Sequence, residues 1–340
     1  MGEVGIVGTA SWGTTLGILL ARQGVQVFLW ARTEMEAVHL ERDRENLRFL
    51  PGFPFPPGLR VTADKEHAFQ NSDMVIFAVP SRSLRDNVKT VKEFFRDSSI
   101  IMSATKGLEG VSGKRMSQVL EEEIPSRLVS NICVLSGPNL SREIAQGKPS
   151  STVVASRRKE IAKDAQSLLM SPKFRVYTND DVIGVELAGA LKNIIALGAG
   201  ICDGLGYGDN AKAAFITRGL VEITRLGVAA GANPLTFAGL AGLGDLVATC
   251  SSPLSRNRNV GNQLAQGRSL DEIRSSMKNV VEGIDTTIAT MKMAQELGVE
   301  MPITETTHKV LFKGLDPKQA AAELMGRAPR TEWAGIRARR

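Results

Sequence analysis

The stretch Val4–Gly17, VGIVGTASWGTTLG, decides how the chain is read. A short apolar run ends at Gly8, a tight turn follows, and helical sequence takes over from about Gly13. Gly8 and Gly13 hold the first and third places of a G-x-G-x-x-G pattern, and Ala10 stands where the middle glycine is usual. In such a strand–turn–helix unit the first glycine permits the reversal, the second admits a pyrophosphate to the backbone, and the third lets the helix lie near the strand. The unpaired N–H groups and the positive dipole end of the following helix suit phosphate oxygens, with Ser11, Trp12 and Gly13 as the expected backbone donors. Alanine can adopt the negative φ of such a turn. The expectation is therefore a displaced pyrophosphate or an altered affinity, not lost binding.

Outward from this turn, residues 1–180 alternate short β-branched runs with helical patterns. EVGIVG, VQVFLWA, DMVIFAV, SIIMSAT, NICVLSG and STVVAS each have the length of a buried strand, and the segments between most of them have helical spacing. That alternation predicts an α/β domain of parallel strands with crossover helices. The segment NLRFLPGFPFPPGLRV, residues 46–61, reads as an irregular surface connection because proline fixes φ and lacks a donor; a lid and a packed loop are both open readings. After about residue 180 the strand runs stop. VELAGALKNIIALGAGI, KAAFITRGLVEITRLGVAAG and DTTIATMKMAQELG carry helical periodicity, so residues 181–340 are expected to form a mostly helical second domain with a frayed basic tail.

The whole-chain properties exclude several classes. With 340 residues, 43% hydrophobic and 23% charged, the chain has the composition of a globular protein of two domains. The opening residues enter strand pattern at once and predict no secretory leader. The weakly polar LGVAAGANPLTFAGLAGLGDLVATC is broken by glycines, Asn233, Pro234 and Asp245, so no transmembrane segment is expected. Cys133, Cys202 and Cys250 are far apart and lack metal-ligand spacing, which predicts neither disulfides nor a metal site and fits a reducing cytoplasm. The net charge of +6 comes from 42 basic residues dispersed among 36 acidic ones, with aromatics at 5%. A basic surface or an anionic small substrate explains that balance better than nucleic acid.

Several polar residues interrupt this apolar grammar. Arg32 lies 24 residues past Gly8, at the end of the second strand run, where an acid would meet a ribose 2′-hydroxyl and an arginine can accommodate a 2′-phosphate. That predicts tolerance of NADP(H), the alternative being an arginine stacked on adenine or turned to solvent. Lys192 and Asn193 sit inside an apolar helical run, where the lysine either snorkels outward or faces a cleft for acid–base work. Asp245 falls in a glycine-rich stretch read as a turn. Ser255, Arg256, Asn257 and Arg258 follow, and the first three offer a hydroxyl, a guanidinium and an amide to a phosphate. Glu282 and Gly283 mark another polar break, and Lys106 comes just after a strand, at the carboxyl edge where open α/β sheets bind ligands.

GTASWGTTLG, SATKGLE, LSGPN, ELAGALKNIIALGAGI, GLAGLGDLVATC, SPLSRNRNVG and VVEG, in this order and at these spacings, resemble the bacterial NAD(P)-dependent glycerol-3-phosphate dehydrogenases, to about residue 325. The resemblance implies an N-terminal Rossmann dinucleotide-binding domain followed by an all-α C-terminal domain of the 6-phosphogluconate-dehydrogenase kind. It further implies a cytoplasmic homodimer, and interconversion of dihydroxyacetone phosphate and sn-glycerol 3-phosphate with NAD(H) or NADP(H), feeding glycerophospholipid synthesis. By position, Lys192 matches the family's proton-transfer lysine and Lys106 its substrate-binding lysine. Gly137, Asn139, Asp245, Ser255, Arg256 and Asn257 match further substrate contacts. Gly8, Ser11, Trp12, Gly13, Arg32, Lys106, Ser141, Arg256, Val280 and Glu282 match positions at the cofactor. The sequence departs from the family at Ala10, at Asn139 for a usual Ser or Thr, and at Ser141 for a usual Ala. Competing readings are a two-domain reductase of another hydroxy acid and a nucleotide sensor without turnover.

Overall fold

The computed structural model describes residues 2–110, 112–277, 280–329 and 331–332. The chain divides into two compact units: residues 1–105 with 116–182, and residues 106–115 with 183–340. The chain thus enters the second unit briefly at Lys106, leaves it after Arg115, and re-enters for good at Ile183. Residues 333–340 of the basic tail lie outside the described residues.

The first unit is built on one eight-stranded sheet of β1 (Glu3–Val7), β2 (Gln26–Trp30), β3 (Leu59–Thr62), β4 (Met74–Phe77), β5 (Ile100–Ser103), β6 (Ile132–Ser136), β7 (Ser150–Ala155) and β8 (Phe174–Asn179). The spatial order is β3-β2-β1-β4-β5-β6-β7-β8, so the chain runs outward from β1 to one edge and then restarts at β4 on its other side. That reversal places the β1 turn at the switch point, where open α/β sheets bind ligands. The central strands β4, β5 and β6 are buried throughout, and apolar clusters fill the unit on both sides of them.

Two expectations need correction. The strands are not all parallel, because β7 runs antiparallel to β6. Two strands lie outside the six predicted: β8, and β3 within the proline-rich segment. The remainder of that segment agrees with the packed-loop reading: Leu50, Phe53 and Phe55 are buried in the sheet's core cluster, and Asn46 is 1% exposed.

Among the described residues the second unit is helical apart from a single bridge, Leu108 with Arg115, in its short first segment. Its central element is the Val182–Gly204 helix, which carries Lys192. By length and composition this helix and the Pro234–Ser251 stretch could each cross a membrane, but 89% of the first one's apolar window is buried inside the protein, as in a core helix. The second stretch is three elements in succession: a short helix at Pro234–Phe237, a π-helical turn at Leu240–Gly244, and a helix at Asp245–Ser251. Asp245 therefore opens a helix after a π-bulge, where a plain glycine turn was expected. Gly242 makes the bulge possible, since a Cβ there would lie 2.1 Å from the Phe237 carbonyl oxygen.

Candidate functional site

In the first unit, β1 delivers Gly8 at φ +125°, a conformation that favours glycine, and the helix Ser11–Ala21 begins three residues later, two before the expected Gly13. A Cβ on Gly13 would stand 1.9 Å from the Gly8 carbonyl oxygen, so the helix presses directly on the strand end. Ala10 has φ −73° and ψ 177°, ordinary extended backbone in which a methyl group is unstrained, and it offers no side-chain cap to the helix. The loop is pinned from outside. Asn46 donates to the Thr9 carbonyl and to Thr14 Oγ1, the Thr9 hydroxyl donates to Glu36, and the Ser11 hydroxyl donates to the Phe49 carbonyl. The proline-rich segment thus braces the turn, a role its irregular composition hid.

Whether this cradle suits a dinucleotide can be judged from its own atoms. The first-turn amides of the helix have no intrahelical acceptor. Close contacts at Gly8 and Gly13 keep side chains out of the turn, and the buried Trp12 Nε1 has no hydrogen-bond partner. These features fit a phosphate-bearing ligand with further polar groups. Arg32 is exposed just past β2, free to meet a charged ribose substituent. Ala10→Gly is accordingly expected to change NAD(P)H affinity less than about threefold and stability by less than about 1 kcal/mol, glycine's extra chain entropy being offset by its preference at a helix N-cap, read by fluorescence titration and thermal melting.

Three other marked residues also belong to the first unit. Gly137 has φ +143° and abuts Thr152. The Asn139 amide donates to Thr152 Oγ1, while its buried Oδ1 has no partner and remains an acceptor. Ser141 opens a short helix, and its carbonyl accepts from Thr15.

The second unit gathers the ionic residues. Lys106 Nζ donates to Asp245 Oδ2 at 2.7 Å, and Lys192 Nζ donates to Asp245 Oδ1 at 2.6 Å, so one carboxylate serves two lysines. Asp245 and Lys192 are 2% and 6% exposed. With both lysines protonated the trio carries one net positive charge in a site largely shut from water, which favours an anion. Burial pulls Lys106 down from the usual lysine range to about 8, against the upward pull of Asp245 and helped by the charge on Lys192. Lys106 is still mostly an ammonium at neutral pH.

Sequence reasoning overlooked Thr249. It lies one helical turn after Asp245, on the same face; its hydroxyl accepts from Lys192 Nζ at 2.6 Å and donates to the Asp245 carbonyl at 2.6 Å. The Asp-x-x-x-Thr spacing was the available signal, hidden while the segment was read as a turn. An ammonium has three donors. Asp245 and Thr249 take two from Lys192 and aim the third.

The Ser255–Asn257 group is tied into the scaffold more than a phosphate clamp requires. The Ser255 hydroxyl caps the Arg256–Ala265 helix by accepting from the Arg258 amide, which fixes its oxygen and leaves its hydrogen to donate. Asn257 donates to Asn193 Oδ1 at 2.9 Å and accepts from the Gly283 amide at 3.0 Å, which leaves one amide hydrogen. Arg256 Nη1 donates to the Val280 carbonyl, bringing together two expected cofactor positions, and the partly buried Glu282 begins the Glu282–Leu297 helix. Among the described residues no group of three or more His, Cys, Asp or Glu could hold a metal.

A sheet reversed at a glycine turn, followed by a helical unit with a buried lysine–aspartate cluster, is the plan of a two-domain nucleotide-dependent oxidoreductase. Comparison with known proteins narrows the class. Residues 3–162 match the model of the NAD-dependent glycerol-3-phosphate dehydrogenase N-terminus, and residues 181–322 that of the C-terminus. A glycerol-3-phosphate dehydrogenase [NAD(P)+] from Dehalococcoides mccartyi is 53% identical, over 98% of this chain and 94% of its own. One from Pelotomaculum thermopropionicum is 47% identical, over 96% and 93%. The crystal structure of glycerol-3-phosphate dehydrogenase from Coxiella burnetii superposes with a TM-score of 0.91 at 38% identity, covering 96% of this chain and 99% of that one. The chain belongs to the NAD-dependent glycerol-3-phosphate dehydrogenase family.

Proposed function

We propose that the protein reversibly reduces dihydroxyacetone phosphate to sn-glycerol 3-phosphate with NAD(P)H, and that Lys192 is its general acid. The observation that carries this reading is the third donor of Lys192, left over once Asp245 and Thr249 have fixed the other two. The dinucleotide, when bound, supplies the hydride that reaches the carbonyl carbon. The Gly8–Gly13 turn and the amides of Ser11 and Trp12 hold its pyrophosphate, and Arg32 meets the adenosine ribose.

Lys192 donates its proton to the carbonyl oxygen as negative charge develops there, and takes it back in the oxidative direction. Asp245 keeps that ammonium oriented and Thr249 restricts its swing. Lys106 adds positive potential at the substrate oxygen and Arg256 meets the phosphate, while Asn257 contributes its remaining amide hydrogen. Asn139 Oδ1 offers an acceptor to a substrate hydroxyl. The product is a glycerophospholipid precursor, and the protein works as a homodimer in the cytoplasm. The exposed Leu243 and Val247, four residues apart, support a partner surface, and three free cysteines, two of them buried, suit a reducing compartment.

Cofactor choice tests the Arg32 assignment. Arg32→Asp is expected to lower the preference for NADPH over NADH by about 10–100-fold, the worth of a charge-assisted hydrogen bond. Specificity constants for the two cofactors, followed by absorbance of the reduced nicotinamide, decide it; an unchanged ratio removes Arg32 from 2′-phosphate recognition.

A further inference from the structure

The short segment 106–115 carries Lys106 into the second unit, and its geometry suggests how that lysine is held. Its described residues are paired as in a hairpin. Leu108 bridges Arg115, the Glu109 amide donates to the Lys114 carbonyl at 2.9 Å, the Gly113 amide donates to the Glu109 carbonyl at 2.7 Å, and Gly113 takes φ +74°. The Ser112 hydroxyl also donates to the Glu109 carboxylate. Lys106 stands at one end, two residues before the buried Leu108, and Arg115 stands at the other, so fixing Arg115 fixes the strand that presents Lys106.

Arg115 is fixed by a buried ion pair: its Nη1 lies 2.6 Å from Glu186 Oε2, with side chains 9% and 6% exposed. Glu186 belongs to the Val182–Gly204 helix, six residues, or about 9 Å along the axis, before Lys192. One rigid helix therefore serves as reference for both lysines of the Asp245 cluster. We infer that the Arg115–Glu186 pair is a latch that positions Lys106 against Asp245, although neither of its residues touches the cluster. A buried pair is a poor way to gain stability, since apolar residues of similar volume often do as well. Its directional geometry suits a positioning task better.

The consequence for turnover rests on the substrate role proposed above for Lys106, but the position of Lys106 can be read independently. Removing Arg115 alone strips Glu186 of its guanidinium and risks unfolding, so the main variant is the paired apolar replacement Arg115→Met with Glu186→Leu, and Arg115→Lys is the conservative one. Lys106 acetylation by acetic anhydride is measured against pH on the full chain by peptide mass spectrometry. In the parent chain the profile should have its midpoint near 8, set by burial together with the facing Asp245 and Lys192. In the double variant, folded by thermal melting, the midpoint should rise by one to two pH units toward the ordinary lysine value, and kcat/KM for dihydroxyacetone phosphate should fall about 10–100-fold with KM carrying most of the change. Arg115→Lys should restore part of both. A shifted profile with unchanged turnover upholds the latch and removes Lys106 from substrate binding. An unchanged profile in a folded double variant overturns the latch.

Discussion

Lys192→Ala is expected to lower turnover of dihydroxyacetone phosphate about a thousandfold, within the range that a positioned general acid contributes. The loss should fall on kcat, because the proton moves only as charge develops on the substrate oxygen. Two features make this a clean test. Asp245 keeps Lys106 at 2.7 Å when Lys192 is removed, so no buried carboxylate is stranded and the variant should fold. The glycine turn proposed to cradle the nucleotide is made by the first unit's own residues, so NAD(P)H affinity should stay within about twofold. Steady-state kinetics with a fluorescence titration of NAD(P)H measure both quantities. Turnover close to that of the parent would dismiss Lys192 as the acid, and an equal collapse of cofactor affinity would mean that the substitution had damaged more than the proton path.

Gly261→Ala should also be severe, by a different route. A Cβ at Gly261 would lie 1.8 Å from the Leu197 carbonyl oxygen, and one at Gly200 would lie 1.9 Å from the Arg258 carbonyl oxygen. The Val182–Gly204 and Arg256–Ala265 helices thus meet backbone to backbone. Backbone cannot swing aside as a flexible side chain can, so one added methyl must push the helices apart, at a cost of about 1–3 kcal/mol or more. The displacement reaches the site at once, because Asn257 lies one turn before Gly261 and bonds to Asn193, the neighbour of Lys192. A misplacement of about 1 Å can cost about a hundredfold in rate. Thermal melting should show the loss of stability, and kcat/KM should fall about a hundredfold in the fraction that remains folded. A variant with unaltered melting and kinetics would contradict the packing described for these helices.

The strands that could be read from sequence are those near the middle of the sheet. β4, β5 and β6 are buried on both faces and appear as unbroken apolar runs. β3 and β8 are the two edges, and their residues alternate between buried and exposed, LRVT and FRVYTN, which breaks the run that marks a strand. Pro54, Pro56 and Pro57 just before β3 deepened the disguise. The antiparallel turn from β6 to β7 leaves no mark on either strand, because register and direction belong to the pairing and not to one segment.

At the site, Lys106, Lys192 and Asp245 could be picked out as charges in apolar or glycine-rich surroundings, yet their common carboxylate is a matter of three distant segments meeting. Thr249 and Asn46 were invisible for a related reason. A threonine in a helix and an asparagine before a proline-rich segment are ordinary residues until the fold shows which atoms they reach. Ser255 shows how one residue can carry two signals: a hydroxyl beside two arginines reads as a phosphate ligand, and the same residue at the start of a helix is also a cap, its hydroxyl hydrogen still unspent.

The detour of residues 106–115 also bears on how this molecule can be inherited in pieces. A fragment starting at residue 181 would carry Lys192, Asp245 and Thr249, but it would lack Lys106 and would separate Glu186 from Arg115. A chimera joined near residue 180 would take the hairpin from one parent and its docking helix from the other, making the charge match at 115 and 186 a compatibility rule between parents. The helical half is therefore not a cassette that moves across a single crossover. Viable recombination needs either three crossovers, one on each side of the hairpin and one near residue 182, or parents that already agree at both positions.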